Sequence, residues 1–235
     1  LELNAPATEL LPELSLNGAY SADELTLHRM MTHTTAMQDD WDTSCEISEE
    51  AYWNTVAPWT LVEPGAVFNY SNTGWSLAGR VIEAATGQDY AAYMKESVLG
   101  PAGMTTATFD PSEAVDDSYS IGYSNGSFYT LDIHDCEYLR AATLLHGSVL
   151  DLGRMAEVML AGAAELVGDV SPAITAQQET GYAATTHHGY GLYVFDHQGV
   201  EMLAHSGGGA GHSSYFLLAP EQRFGVVAVT NVSYY

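Results

Sequence analysis

The sequence predicts an α+β fold, an antiparallel sheet flanked by helices with an associated helical region. Three observations carry that expectation. In the middle of the chain Trp75, Leu77, Ala78, Val81, Ile82 and Ala85 recur at helical spacing. The last third changes character and offers four strand-like runs, GYGLYVF, VEMLAHS, SSYFLLAP and FGVVAVTN, parted by short Gly, His-Gln-Gly and Pro-Glu-Gln turns. Turns that short join antiparallel neighbours, because a parallel pair needs a crossover of a dozen or more residues. Helices in the middle and a meander at the end therefore argue against an alternating α/β chain. The 235 residues are enough to bury a sizeable core. The expected organisation is one domain over 1–235, mostly helix and loop through 180 and antiparallel strands over 181–235.

Taken in order, residues 1–17 carry two prolines and little periodicity, and read as a surface-hugging connector. SADELTLHRMMTHTTAM then reads as a helix that Ser21 caps, with Asp23 and Glu24 in its first turn and Leu25, Met30 and Met31 on its apolar side. Residues 39–64 are acidic and rich in aromatics, and read as mostly irregular with one short helix; core packing is the expectation for Trp41, Trp53 and Trp59. EPGAVFNYSN is Pro-Gly turn chemistry followed by a short extended piece. A helix begins at about Thr73 and stops at Gly87, and another covers 89–98. YSIGY and SFYTL are aromatic strand candidates. SVLDLGRMAEVMLAG is a further helix, on which Asp151 and Arg154 are spaced as a surface pair.

Charge narrows the function classes. Asp and Glu total 30 against 6 Lys and Arg, a formal charge of −24. Such a surface repels phosphate backbones, which argues against nucleic acid as a partner. Lys95 is the only lysine. Excess carboxylate with so little lysine fits a salty environment, where screening relieves self-repulsion, and equally an acidic secreted protein. No apolar run is long enough to span a membrane. Cys45 and Cys136 lie in polar sequence outside any metal spacing; they permit a single disulfide, and that pairing would fit an extracellular or cell-surface location. The first residue is not Met, so further sequence is expected upstream.

Two candidate sites fail on pattern. His187 and His188 lack a third ligand at a recognisable spacing, so no metal is expected. SGGGAG at 206–211 follows a strand and leads into another, whereas a phosphate-cradling loop opens a helix. Glycines there serve either a tight hairpin needing positive φ or the close approach of a ligand to the strand's N–H groups, as in an oxyanion hole. Tyr70-Ser71-Asn72 raises a similar choice. Ser and Asn at a helix start are ordinary caps, yet a phenol beside them is also a proton-transfer group.

The whole series LHRMMTHTTAM, EPGAVFNYSNTGWSLAGRVIEAATG, LGPAGMTTATF, GSVLDLGRMAEVMLAG, YGLYVF, AHSGGGAGHSSYFLLAP and FGVVAVTN resembles the serine beta-lactamase and penicillin-binding-protein-like superfamily, in the branch of class C beta-lactamases, DD-peptidases and related esterases. The resemblance runs from Leu1 to Asn231. It implies a beta-lactamase/transpeptidase-like fold, truncated here at both ends, with a cleft between sheet and helical region. Tyr70 and Asn72 match the Tyr-x-Asn motif, and His205-Ser206-Gly207 the Lys/His-x-Gly motif. The resemblance makes Tyr70 the proton shuttle and Asn72 the holder of the substrate's acyl amide. His205 would help position Tyr70 or the substrate, and Gly207 and Gly208 would line the strand edge, the Gly208 N–H giving half of an oxyanion hole. His33, in THTT, resembles a structural turn of the family.

The nucleophile of such enzymes belongs to a Ser-x-x-Lys motif, and this chain has none: Lys95 follows Ala92 at that spacing. A free phenol has a pKa near 10, so Tyr70 needs a cation or hydrogen bonds to act as a base near neutrality. The nucleophile is expected upstream of residue 1, or on a separate polypeptide. The resulting expectation is a serine hydrolase that acts on an ester, amide or peptide through an acyl-enzyme, without metal or organic cofactor. Its partners would be a small-molecule or peptide substrate, and an oligomer or partner chain is compatible with it. His205 in place of Lys removes a permanent cation and shifts preference towards an esterase or peptidase over a dedicated antibiotic-degrading enzyme. The alternative is an inactive relative serving as a structural, assembly or binding protein.

Overall fold

The computed structural model describes residues 1–39, 45, 48–55, 59–60, 62–114, 119–124, 126–128, 136–162, 177–181, 186–209 and 211–233. Trp41 lies outside them. The chain divides into two compact units that interleave in sequence, Leu1–Tyr93 with His134–Leu144, and Met94–Ile133 with Leu145–Tyr235.

The first unit is built from helices α1 (Leu27–Met31), α2 (Glu49–Thr55) and α3 (Asn72–Thr86). The single helix expected from Ser21 onward is two pieces. Ser21 caps a 3₁₀ turn, Ala22–Glu24, and Thr26 caps α1 by accepting the Arg29 N–H. Leu25 between them is extended, because its carbonyl accepts the Ala7 N–H at 2.8 Å while its side chain is fully buried. A tertiary bond thus overrides local helix propensity. The expected connector is better anchored than its composition suggested, since Ala7 and Leu11 enter the same core.

That core gathers Leu25, Met30, Met37, Tyr52, Leu77 and Val81. Tyr52 stacks on Tyr138 with ring centroids 4.3 Å apart, and its hydroxyl lies 3.0 Å from Thr73 Oγ1, which ties α2 to α3. Trp53 packs against this core and under the Arg80 guanidinium, whereas Trp59 is half exposed. Cys45 and Cys136 form a disulfide, with Cα atoms 5.1 Å apart.

Helix α4 (Tyr90–Met94) lies in the first unit up to Tyr93 and runs on into a π-helical turn of the second, Lys95–Leu99. The short helix α5 (Pro111–Ala114) and the two-residue hairpin β1 (Tyr123–Ser124) and β2 (Ser127–Phe128) follow. Helix α6 (Val149–Ala161) begins on a capping box between Ser148 and Asp151. The expected Asp151–Arg154 surface pair is not what forms. Asp151 is buried and accepts from Ser148 and Thr106, while Arg154 pairs with Glu157 at 2.7 Å. Lys95 pairs with Glu113 at 2.6 Å, and holds that carboxyl below its usual range.

The sheet is a six-stranded antiparallel meander in sequence order: β3 (Gln178–Glu179), β4 (Thr186–His188), β5 (Tyr193–His197), β6 (Val200–Gly209), β7 (His212–Ala219) and β8 (Phe224–Thr230). The four expected strands are β5 to β8. Alternation puts Val194, Leu203 and Leu218 on one face, in a cluster with Ala156, Met159 and Leu160 of α6.

Candidate active site

The Tyr70-Ser71-Asn72 triplet sits where an extended segment becomes α3. Ser71 is the N-cap, extended at φ −148° and ψ 113°, and its Oγ accepts the Gly74 N–H at 3.1 Å. It is fully buried. The ordinary reading therefore holds for the hydroxyl of the triplet, and each of its neighbours has a different partner.

Those partners come from one tight turn, 33–39. His33 and Ala36 both have φ of 56°, a left-handed conformation uncommon for residues with a Cβ. The His33 carbonyl accepts the Asn69 N–H at 2.7 Å, and the Met37 carbonyl accepts Asn69 Nδ2–H at 2.9 Å. The buried His33 ring then meets the triplet directly. Its Nδ1 faces the Ser71 N–H at 3.0 Å, its Nε2 faces the Trp75 Nε1–H at 3.2 Å, and Tyr70 stacks on it with centroids 4.1 Å apart and planes 24° from parallel. A neutral imidazole has one bare nitrogen, so one of the two N–H groups is fully accepted at a time. Asp39 meets the other end of the triplet. Its Oδ1 accepts the Asn72 backbone N–H at 2.7 Å and its Oδ2 the Asn72 Nδ2–H at 3.2 Å. Asn72 is only 4% exposed.

In the second unit His205, Ser206, Gly207 and Gly208 are consecutive on β6. Pairing with β5 ends at Tyr193↔Ala204, whereas pairing with β7 continues to Gly209↔His212. Ser206–Gly209 therefore run past the end of β5 and are exposed. Alternate backbone N–H groups along such a segment face away from the ladder with β7. Gly207 and Gly208 are extended, and the positive φ that a tight hairpin demands falls on Gly211, at 78°. A Cβ on Gly211 would also lie 2.7 Å from the backbone of Gly122 and Tyr123. The hairpin tip holds that segment: the Tyr123 N–H reaches the Gly211 carbonyl at 3.1 Å, and Ser120 Oγ lies 3.0 Å from His212 Nε2.

His205 is partly buried, and burial pushes its imidazole below the usual range, against a smaller opposing effect of the Ser206 backbone. His188 is fully buried, donates from Nδ1 to the Gly189 carbonyl at 2.6 Å, and is pushed down to about 4, chiefly by burial. Tyr193 stacks on His205 with centroids 6.0 Å apart. A recess of about 260 Å³ is lined by Tyr193, Phe195, Ala204, His205 and Tyr215 among others, and Gly207 and Gly208 are not in its wall. Among the described residues no cluster of three His, Cys, Asp or Glu could hold a metal, and no helix is long and apolar enough to cross a membrane.

Tyr70 and Asn72 thus share one helix start, and His205, Gly207 and Gly208 share one strand edge. Asp39 was not legible as a site residue. In QDDWD it looks like one more surface charge on a very acidic chain, and its partner lies 33 residues away. His33 was legible only as a turn.

Comparison with known proteins agrees with this architecture. The family model described as Beta-lactamase matches residues 1–235, and the chain belongs to that family. Penicillin-binding protein 4 of Amycolatopsis lactamdurans is 24% identical over 249 residues, covering 97% of this chain and 64% of the relative. The chain therefore spans less than two thirds of that relative's length. Among solved structures, the octameric penicillin-binding protein homologue from Pyrococcus abyssi aligns with a TM-score of 0.83 at 23% identity, over 100% of this chain and 57% of that one. A class C beta-lactamase aligns with a TM-score of 0.84 at 15% identity, over 100% of this chain and 71% of that one. At such identities the likeness is one of fold.

Proposed function

We propose that residues 1–235 belong to a serine hydrolase of the beta-lactamase-like type, which cleaves an ester, amide or peptide through an acyl-enzyme. The observation that carries the reading is the overhang of β6. Ser206-Gly207-Gly208, preceded by the partly buried His205, lie on an exposed strand edge, where a carbonyl could reach backbone N–H groups, and not in the hairpin turn itself.

In this reading a serine of a Ser-x-x-Lys segment outside these residues attacks the substrate carbonyl. Tyr70 takes the serine's proton and returns it to the leaving group. The negative oxygen of the tetrahedral intermediate is stabilised by backbone donors, the Gly208 N–H among them. Water then hydrolyses the acyl-serine, with Tyr70 again moving the proton. Tyr70 needs a nearby cation to act near neutrality, and the lysine of the absent motif would supply it. His205, its pKa lowered by burial, is neutral near pH 7 and offers no fixed charge for a substrate carboxylate. Uncharged esters and amides are therefore favoured over penicillins.

Further parts of the reading rest on composition and on the disulfide. The Cys45–Cys136 bridge favours an extracellular or cell-surface location. The charge of −24 favours a salty setting. The octameric relative makes an oligomer a natural expectation.

The test is acylation of the protein at its natural length by a serine-directed fluorophosphonate, with the modified residue mapped by mass spectrometry. Labelling of one serine in a Ser-x-x-Lys segment supports the hydrolase. A verified natural-length chain that takes no label, and turns over no ester, would favour a binding or assembly role.

A further inference from the structure

We propose that the Cys45–Cys136 disulfide is a redox-sensitive clamp on the start of α3, so that the Tyr70 site is fully ordered and active only while the bridge is intact. The proposal rests on the hydrolase reading above and adds a regulation to it. All the residues involved belong to the first unit.

Both arms of the bridge end on the first turn of α3. On one side Cys136 opens a 3₁₀ turn, Glu137–Leu139, whose Tyr138 stacks on Tyr52 with planes 17° from parallel. The Tyr52 hydroxyl in turn lies 3.0 Å from Thr73 Oγ1, and Tyr52 and Thr73 are both fully buried. On the other side Asp39, six residues before Cys45, accepts the Asn72 N–H at 2.7 Å. Asn72 and Thr73 come immediately after Ser71, the N-cap beside Tyr70. A shift of either arm therefore moves the backbone that carries the phenol.

Neither arm is held by local structure alone. A 3₁₀ turn of three residues is weak, and Cys136 at its N-cap makes no side-chain capping bond, so the crosslink takes the place of a cap. Cys45 has φ of 54°, a left-handed conformation that is unfavourable for a residue with a Cβ and persists only where the surroundings impose it. Once the bridge is cut, Cys45 is free to return to negative φ, which redirects the backbone on the Asp39 side. A crosslink that acted on the unfolded chain alone would alter stability and leave the folded site untouched. Strain at Cys45 makes this one act on the folded state as well.

The bridge is open to exchange from one side. Cys45 is half-buried, whereas Cys136 is only 2% exposed, so a thiolate attacks the Cys45 sulfur. With a dithiol reagent the S–S bond breaks, Cys136 leaves as a thiolate and takes up a proton, and a mixed disulfide remains at Cys45. The reagent's second thiol then closes its own ring and releases Cys45 as a thiol. The bridge gains two electrons and two protons, and the dithiol loses them. An enzyme built this way stays quiet in a reducing compartment and becomes competent on reaching an oxidising one.

The experiment compares the natural-length protein, oxidised and reduced with dithiothreitol, well below its melting temperature, with circular dichroism checking the fold. It reads p-nitrophenyl acetate turnover and hydrogen exchange at the Asn72 and Gly74 amides, whose acceptors are Asp39 and Ser71. On reduction both amides should exchange about 10-fold faster or more. Over the same step kcat should fall about 10-fold, and reoxidation should restore both. Cys45→Ser combined with Cys136→Ser should match the reduced form and no longer respond to dithiothreitol. Tyr52→Phe keeps the bridge and removes only the hydroxyl; exchange at Gly74 should rise about 3-fold or more, and this variant decides the matter if the reduced protein unfolds. Unchanged exchange in a folded, reduced protein overturns the clamp, as does unchanged exchange in Y52F where reduction unfolds the chain. Faster exchange with undiminished turnover overturns the regulation. Faster exchange with no turnover in either form supports the clamp and strikes the hydrolase reading instead.

Discussion

Two glycines of the β6–β7 hairpin invite opposite predictions. Gly211→Ala would place a methyl 2.7 Å from the backbone of residues 122 and 123, at a φ of 78° that alanine tolerates poorly. A backbone cannot rotate away, so urea denaturation should show a loss of about 1–3 kcal/mol. Gly207→Ala meets only the Ser214 hydroxyl, at 2.6 Å, which can turn to another rotamer. Stability should then change by less than about 1 kcal/mol, while ester turnover falls because a side chain now crowds the strand edge. A G207A variant that keeps full turnover would argue that the edge is not where substrate binds. The sequence could mark these glycines but not sort them. Telling a positive-φ position from a crowded extended one requires knowing which strand lies opposite.

At the scale of elements, local chemistry was legible wherever it was not contested. Helix α3 begins and ends where Ser71 and Gly87 place it, α6 follows its Ser148 cap, and β5 to β8 follow their turn residues. The helix expected from Ser21 was lost to a bond from Ala7, which no nearby residue announces. Strands β3 and β4 carry two and three residues, too few for a period to appear. The dependence of the triplet on a cap leads to a further prediction. Ser71→Ala removes the acceptor of a buried N–H and should cost about 1–2 kcal/mol in urea denaturation. Asn72 should keep its orientation in that variant, because Asp39 holds it independently. An S71A protein as stable as the parent would show that Asp39 alone suffices to start α3.

For the whole molecule, charge, disulfide and buried histidine govern how stability responds to conditions. A net charge of −24 predicts that added salt raises the melting temperature, and a falling curve would count against self-repulsion as a significant term. The Cys45–Cys136 bridge closes a separation of 91 residues, so reduction should cost about 4–5 kcal/mol by loop entropy. Acid acts through His188. Its folded pKa of about 4 lies below the unfolded value of 6.5, so the unfolded chain binds the extra proton first. Stability from this group is whole above pH 6.5, declines as pH falls towards 4, and is lost by about 3 kcal/mol below that. A His188→Gln variant should show a shallower fall of melting temperature between pH 6.5 and 4 than the parent. Family membership was legible at this scale because it is spread over many short segments between Leu1 and Asn231, and the family model spans the same range. The Asp39–Asn72 contact was not legible, since one carboxylate among thirty acidic residues carries no signal until the chain is folded.

The central claim is that Tyr70 moves the proton of an acyl-transfer reaction, and Tyr70→Phe in the natural-length protein tests it most directly. The phenylalanine ring keeps the stacking on His33 and removes only the hydroxyl. Turnover of a p-nitrophenyl ester should fall by about 10²-fold or more, with the melting temperature unchanged. Unchanged turnover in a folded Y70F protein would contradict the account.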